Sequence, residues 1–192
     1  MTTGLRERKK AATRRALHAA AVRLAVEHGI EHLTVEAIAD AATVSRRTFS
    51  NYFASKEQAL LYRDRARMTR LLELVRARPE RETPVTAFTR AVEELVAERD
   101  AEPEVERYRE LRRHPALLTE MAAVHAAAEQ GLAGALAHRL PTEPADPLRA
   151  RVLAAVFLAA LRVAGQEALD HRDTDFVPLI HRAITMTREG FR

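Results

Sequence analysis

All eight prolines of this 192-residue chain lie at or beyond position 79, and the residues before them hold only two glycines, Gly4 and Gly29. Proline and glycine are the residues that interrupt a helix most effectively, so one strong stop, Gly29, is written into the first 78 residues. Pro79, Pro84, Pro103, Pro115, Pro141, Pro144, Pro147 and Pro178 then divide the remainder into helix-sized pieces. Thr83-Pro84 and Asp146-Pro147 have the form of an N-cap followed by a first-turn proline, and the segments after Pro103 and Pro115 fit that form more loosely. Between these marks Ala, Leu, Arg and Glu dominate, the residues of highest intrinsic helix propensity. The chain is expected to be all-α.

Apolar spacing places the helices. Leu17, Ala20, Ala21 and Leu24 stripe a first helix over 6–28 that begins basic and stops at Gly29. Thr34 caps a short segment, 35–42, carrying Val35, Ile38 and Ala42. After Thr43-Val44-Ser45, Ser45 caps a helix over 46–53 whose Phe49 and Phe53 form an inward i, i+4 pair. Ser55-Lys56-Glu57-Gln58 has the capping-box pattern and opens one long helix whose Leu61, Met68, Leu72 and Val75 share a face until Pro79. Beyond it, Val85, Phe88, Val92 and Leu95 stripe one helix, Val105, Tyr108 and Leu111 a shorter one, and Leu117, Met121, Val124, Ala128, Leu132 and Leu136 a long one. The segment from Asp146 to about His171 is apolar all round and calls for burial on several sides. With the last segment, 175–190, it suits packing against a symmetry mate, the alternative being burial within one chain.

Several classes are excluded by content. The absence of cysteine removes disulfide scaffolds and thiolate chemistry. With 47% hydrophobic and 30% charged residues the chain can build a core. Its longest apolar run, ten residues from Val152 to Leu161, is about half a bilayer span. No apolar stretch follows the basic N-terminus, so a cytoplasmic protein without a membrane segment is expected. Six scattered glycines cannot write a phosphate-binding loop, and no Glu has His three residues later, as a helical di-metal site would need. Glu110 with His114, Glu167 with His171, and His28 with His32 are isolated i, i+4 pairs. Neither a catalytic function nor a cofactor is expected. The formal net charge of +4 lies entirely in residues 1–60, which hold ten basic and six acidic side chains, so one end of the molecule would attract a polyanion.

Ala39, Val44 and Phe49 stand five residues apart, small where two helices cross and apolar where the second is pinned, which is helix-turn-helix spacing. The second helix then offers Arg46, Arg47, Ser50 and Asn51 to a major groove. The stretch Thr34-Val35-Glu36-Ala37-Ile38-Ala39 through Val44-Ser45-Arg46-Arg47-Thr48-Phe49 to Tyr52-Phe53-Ala54-Ser55-Lys56-Glu57 resembles the N-terminal domain of TetR-family transcriptional regulators. The resemblance implies that Thr34 and Thr48 meet phosphates, that Arg46 and Arg47 read bases, and that Tyr52 and Lys56 hold the DNA backbone. Arg14, Ser45, Ser50 and Asn51 complete the expected DNA-binding set. Two positions depart from the family pattern. Thr43 stands where glycine is common, so an altered turn is expected, and Ser50 stands where tyrosine is common, so one backbone contact is expected to be missing or moved.

The resemblance further implies about nine helices: a helix-turn-helix domain over 1–54, and over 55–192 a helical domain that binds an effector and dimerises through its last two helices. Residues 103–191 resemble the C-terminal domains of this family described as binding acyl-CoA-like ligands, notably at His114-Pro115-Ala116-Leu117-Leu118 and Arg149-Ala150-Arg151-Val152-Leu153-Ala154-Ala155. Phe88, Val92, Tyr108, Met121, His125, Phe157, Leu161 and Gln166 are the candidate pocket residues for a small apolar or acyl-type effector, with plain core as the competing role. The expected function is a homodimeric, ligand-released regulator, usually a repressor in this family, on a palindromic double-stranded DNA operator. A sequence-tolerant DNA-packaging protein and an effector-binding partner protein without operator recognition stay open as alternatives.

Overall fold

The computed structural model describes residues 2–98, 111–112, 114–140, 146–171 and 175–190. Among them are nine α-helices, a 3₁₀ turn and no strand: α1 (Thr2–His28), α2 (Val35–Ala41), α3 (Arg46–Ser50), α4 (Lys56–Leu60), α5 (Tyr62–Ala77), α6 (Pro84–Ala97), α7 (Pro115–Leu136), the 3₁₀ turn Ala137–Arg139, α8 (Pro147–Asp170) and α9 (Phe176–Glu189). The all-α expectation holds. Val105, Tyr108 and the helix expected around them lie outside the described residues.

Local chemistry sets most of the boundaries. Gly29, at φ +87°, ends α1. Thr34, Ser45, Ser55 and Thr83 each accept a hydrogen bond from the backbone N–H three residues on, and Asp146 and Asp175 cap α8 and α9 in the same spirit. The capping box at Ser55 is displaced by one residue, since the Gln58 side chain accepts from Ala54 N rather than from Ser55 N.

Two helices differ from expectation. The long helix expected from Lys56 is interrupted at Leu61, with φ −91° and ψ 14°. Ala59, Leu60 and Leu61 are all fully buried. A regular helix turns about 100° per residue and cannot aim three consecutive side chains at one core, so the backbone unwinds there. The buried residues of α5 are accordingly Leu71, Leu74 and Val75, while Met68 and Leu72 are half-buried. The helix expected over 46–53 closes as α3 at Ser50, but the ladder tightens rather than stops: Tyr52 N and Phe53 N both donate to the Phe49 carbonyl.

The chain gathers into two compact units, Met1–Ala66 with Pro103–Ala122, and Arg67–Glu102 with Ala123–Arg192. In the first, α1 packs on α2 and α4, and α2 on α3. Its core joins Leu17, Ala21, Ile38, Phe49, Phe53 and Leu60 to Leu117 of α7. In the second, α9 packs on α8 and α6 around a core that includes Leu74, Phe88, Val92, Leu132, Phe157 and Ile180. Arg139 closes the C-terminus of α5 there, its guanidinium donating to the carbonyls of Val75, Arg78 and Pro79.

Candidate nucleic-acid interface

The turn before α3 decides where its side chains point. Thr43 sits at φ +57°, the left-handed region, and is the sole non-glycine residue with positive φ among the described residues. Its N–H donates to Asp40 O at 3.0 Å and the N–H of Val44 to Ala39 O at 2.9 Å. These are the two bonds of a Schellman motif, with threonine in the place glycine usually takes and Val44 packed on the core beside Ala39. The altered turn expected from Thr43 therefore does not occur. The ordinary left-handed geometry is kept, with the strain borne by a β-branched residue.

From this turn, Ser45 starts α3. Its hydroxyl accepts from Thr48 N at 3.0 Å and shares a 2.9 Å hydrogen bond with Thr48 Oγ1. Behind α3, Phe49 and Phe53 are 1% and 6% exposed, with ring centroids 5.8 Å apart. In front, Arg46, Arg47, Ser50 and Asn51 are exposed. One short helix thus presents two guanidinium groups, a hydroxyl and an amide to solvent from a base held by two buried rings, which is the donor set that guanine, adenine and phosphate accept.

Flanking residues complete the face. Arg14 of α1 places its guanidinium carbon 5.7 Å from the centre of the Tyr52 ring, so both half-buried side chains are held by a cation–π contact. Thr34 is exposed, and its Oγ1 accepts from Ala37 N at 3.1 Å, leaving the hydroxyl proton to donate. Lys56 is half-buried, and its ammonium donates to the carbonyls of Ile30 at 2.9 Å and Leu33 at 2.8 Å. Two of its three donors therefore tie the α1–α2 connection to α4, and one is left.

Three interactions of this unit had no signal in sequence spacing. Glu36 pairs with Arg46 at 2.9 Å across the α2–α3 corner. His18, buried in α1, donates from Nδ1 to the Ala59 carbonyl at 2.8 Å. His114 donates from Nε2 to Glu31 at 2.6 Å, while its Nδ1 accepts from Ala116 N at the start of α7. Glu31's own backbone hydrogen bond and then His114 hold that carboxyl below its ordinary range. Each pair spans 10 to 83 positions and depends on the folded arrangement.

The candidate effector residues are placed differently from one another. Phe88, Val92 and Phe157 are fully buried in the second core, where the two rings stack with centroids 4.6 Å apart. Leu161 is half-buried on that core, whereas Gln166 is exposed and turned toward Asp170. Met121 packs against the core of the first unit, His125 is half-buried, and Tyr108 lies outside the described residues. No three His, Asp or Glu side chains converge as metal ligands among the described residues.

Comparison with known proteins matches residues 17–62 to the family described as bacterial regulatory proteins, tetR family, and residues 82–192 to the MftR C-terminal domain. The chain is 36% identical over 184 residues to the HTH-type transcriptional regulator TcmR of Streptomyces glaucescens, covering 92% of this chain and 81% of that protein. Two solved structures share the fold. FadR of Thermus thermophilus, described as a TetR-family transcriptional repressor in complex with lauroyl-CoA, is 19% identical with TM-score 0.54, over 93% of this chain and 95% of that one. The fatty acid degradation regulator FadR of Bacillus halodurans is 20% identical with TM-score 0.58, over 94% and 96%.

Proposed function

The chain belongs to the tetR family of bacterial regulatory proteins, and within that family we propose that it is a homodimeric repressor released from a palindromic operator by an apolar effector. The observation that carries the DNA-binding part is α3 itself: Arg46 and Arg47 stand exposed on a helix whose opposite side is anchored by Phe49 and Phe53. In this reading residues 1–54 form the DNA-binding domain and residues 55–192 the effector and dimerisation domain. Arg46 and Arg47 take base edges, Ser50 and Asn51 assist, and Thr34, Ser45, Thr48, Tyr52 and Arg14 position the phosphates. Lys56 offers its remaining proton to the backbone while it braces the fold.

Pairing of two copies is supported by α8 and α9. Leu148, Val152 and Val163 on α8 and Met186 on α9 are large apolar side chains left exposed, and Ala155 and Ala159 continue the stripe on α8. A twofold axis through those helices would bury that stripe, and the two recognition helices of such a dimer would have to stand about 34–36 Å apart to enter successive major grooves of B-DNA. The effector reading rests on the apolar interior around Val92, Phe157 and Leu161, and on the acyl-CoA ligand of the Thermus thermophilus protein of the same fold. No helix among the described residues is long and apolar enough to cross a membrane, and a regulator of this family would act on the chromosome in the cytoplasm.

Selection from a randomised duplex library tests the whole reading. The wild-type chain is expected to enrich one palindromic sequence, and Arg46→Ala with Arg47→Ala to lose roughly 1–3 kcal/mol per base contact on it while retaining weak binding to a scrambled duplex. Enrichment of nothing, with tight binding throughout, would establish sequence-tolerant packaging instead. Lauroyl-CoA at a hundred times its Kd should add about 2.7 kcal/mol to thermal stability, and no shift with any acyl thioester would remove that ligand class.

A further inference from the structure

The exposed face of α2 and α3 carries a carboxylate for which base reading by Arg46 has no use. Glu36, in the first turn of α2, sets Oε1 2.9 Å from the Arg46 guanidinium, and both side chains remain more than half exposed. The fold gains little from this pair, because ion pairs at such exposure are weak and α2 is already capped by Thr34. Its effect falls on what approaches from outside. In a helix-turn-helix complex the first helix crosses the phosphate backbone, so the Arg46 guanidinium at the α2–α3 corner comes within reach of phosphate, and Glu36 is the anion already seated on it.

The geometry acts on Arg46 as well. A guanidinium has five N–H donors in a rigid fork, and a carboxylate seated on one nitrogen leaves the others directed outward. We propose that Glu36 is a specificity-determining residue, one that fixes the Arg46 side chain and cancels its attraction for phosphate, so that Arg46 adds to binding only where a guanine edge accepts its remaining donors. The inference rests on α3 being the recognition helix. A lone arginine at the start of α3 would seize the nearest phosphate on any duplex and strengthen non-specific binding. With Glu36 in place, that contact requires either displacing the carboxylate or setting a phosphate against it, whereas a guanine O6/N7 contact on the free edge requires neither.

Fluorescence anisotropy with the full chain tests this, using a duplex selected by the wild-type protein from a randomised library and a scrambled duplex of the same composition. Glu36→Gln should tighten the scrambled duplex roughly fivefold and steepen its log K against log salt slope by about 0.9, one added phosphate contact. The selected duplex should change less than about twofold, so that the specificity ratio falls. Glu36→Ala should repeat the pattern, and in an Arg46→Ala background Glu36→Gln should leave the ratio unchanged. Equal tightening on both duplexes, weaker binding to both, or the same fall in ratio without Arg46 would overturn the proposal. A wild-type chain that enriches no sequence would overturn the recognition-helix premise itself, before any variant is made.

Discussion

Replacing Thr43 by glycine should stabilise the protein without adding a contact. Thr43 holds φ +57° as the C′ residue of the Schellman motif that ends α2, and its side chain is exposed, so its removal opens no cavity. An L-residue in the left-handed region costs roughly 1–2 kcal/mol, with a β-branched one at the upper end. Glycine relieves that cost but adds freedom to the unfolded chain, which takes back about 0.4–1 kcal/mol. The net gain is about 1 kcal/mol, a rise in Tm of about 2–4 °C for a chain of this length. Thermal denaturation of Thr43→Gly and Thr43→Ala beside wild type, at one protein concentration, reads it. The alanine variant, which keeps a Cβ but loses the branch, should fall between the two. A Tm for Thr43→Gly at or below that of wild type would refute the strain argument, because it would mean that the two backbone bonds and half-buried Val44 leave threonine at ease there.

Other perturbations follow the same logic. Lys56→Met keeps the aliphatic stem but leaves the Ile30 and Leu33 carbonyls without their donor, and should cost about 1–3 kcal/mol of stability in the absence of DNA. An unchanged Tm with weakened DNA binding would make Lys56 a phosphate contact alone. The Glu82 carboxyl is held down to about 2 from its ordinary 4.5, first by the Arg78 guanidinium that donates to it and then by the charges of Arg78 and Arg90. A carboxyl depressed by folding adds stability that is fully present above pH 4.5 and lost as pH falls toward 2, so Glu82→Gln should flatten the Tm profile over that interval. In α7, Gly134 has open space where a Cβ would go, while a Cβ on Gly131 would meet Leu72 Cδ1 at 2.6 Å. Gly134→Ala should gain about 0.8–1 kcal/mol in thermal melts, and Gly131→Ala should gain measurably less.

What could be read from the sequence was the chemistry that acts over three or four residues. The caps at Thr34, Ser45, Ser55, Thr83 and Asp146 and the stop at Gly29 stand where spacing placed them, because each is satisfied by its immediate neighbours. The Phe49–Phe53 pair was legible for the same reason. Leu61 was not, since the break there comes from a core that takes three side chains in succession, which no helical period encodes. At Thr43 a sound local rule pointed the wrong way, because two hydrogen bonds and the packing of half-buried Val44 on the core outweigh the preference of one residue. On the candidate interface the residue types were visible, but the partners that restrain them were not. Glu36 for Arg46, Tyr52 for Arg14 and two carbonyls for Lys56 are all brought in by tertiary packing.

Leu117 lies 0% exposed in the same core as Leu17 and Phe49, 57 residues beyond the end of α4. The compact unit that carries α3 is therefore not a linear cassette. A fragment cut after residue 66 would forfeit the 1.5–3 kcal/mol or so of a buried leucine and open a hole in that core. Swapping recognition segments between relatives would then have to carry the opening turn of α7 along with them.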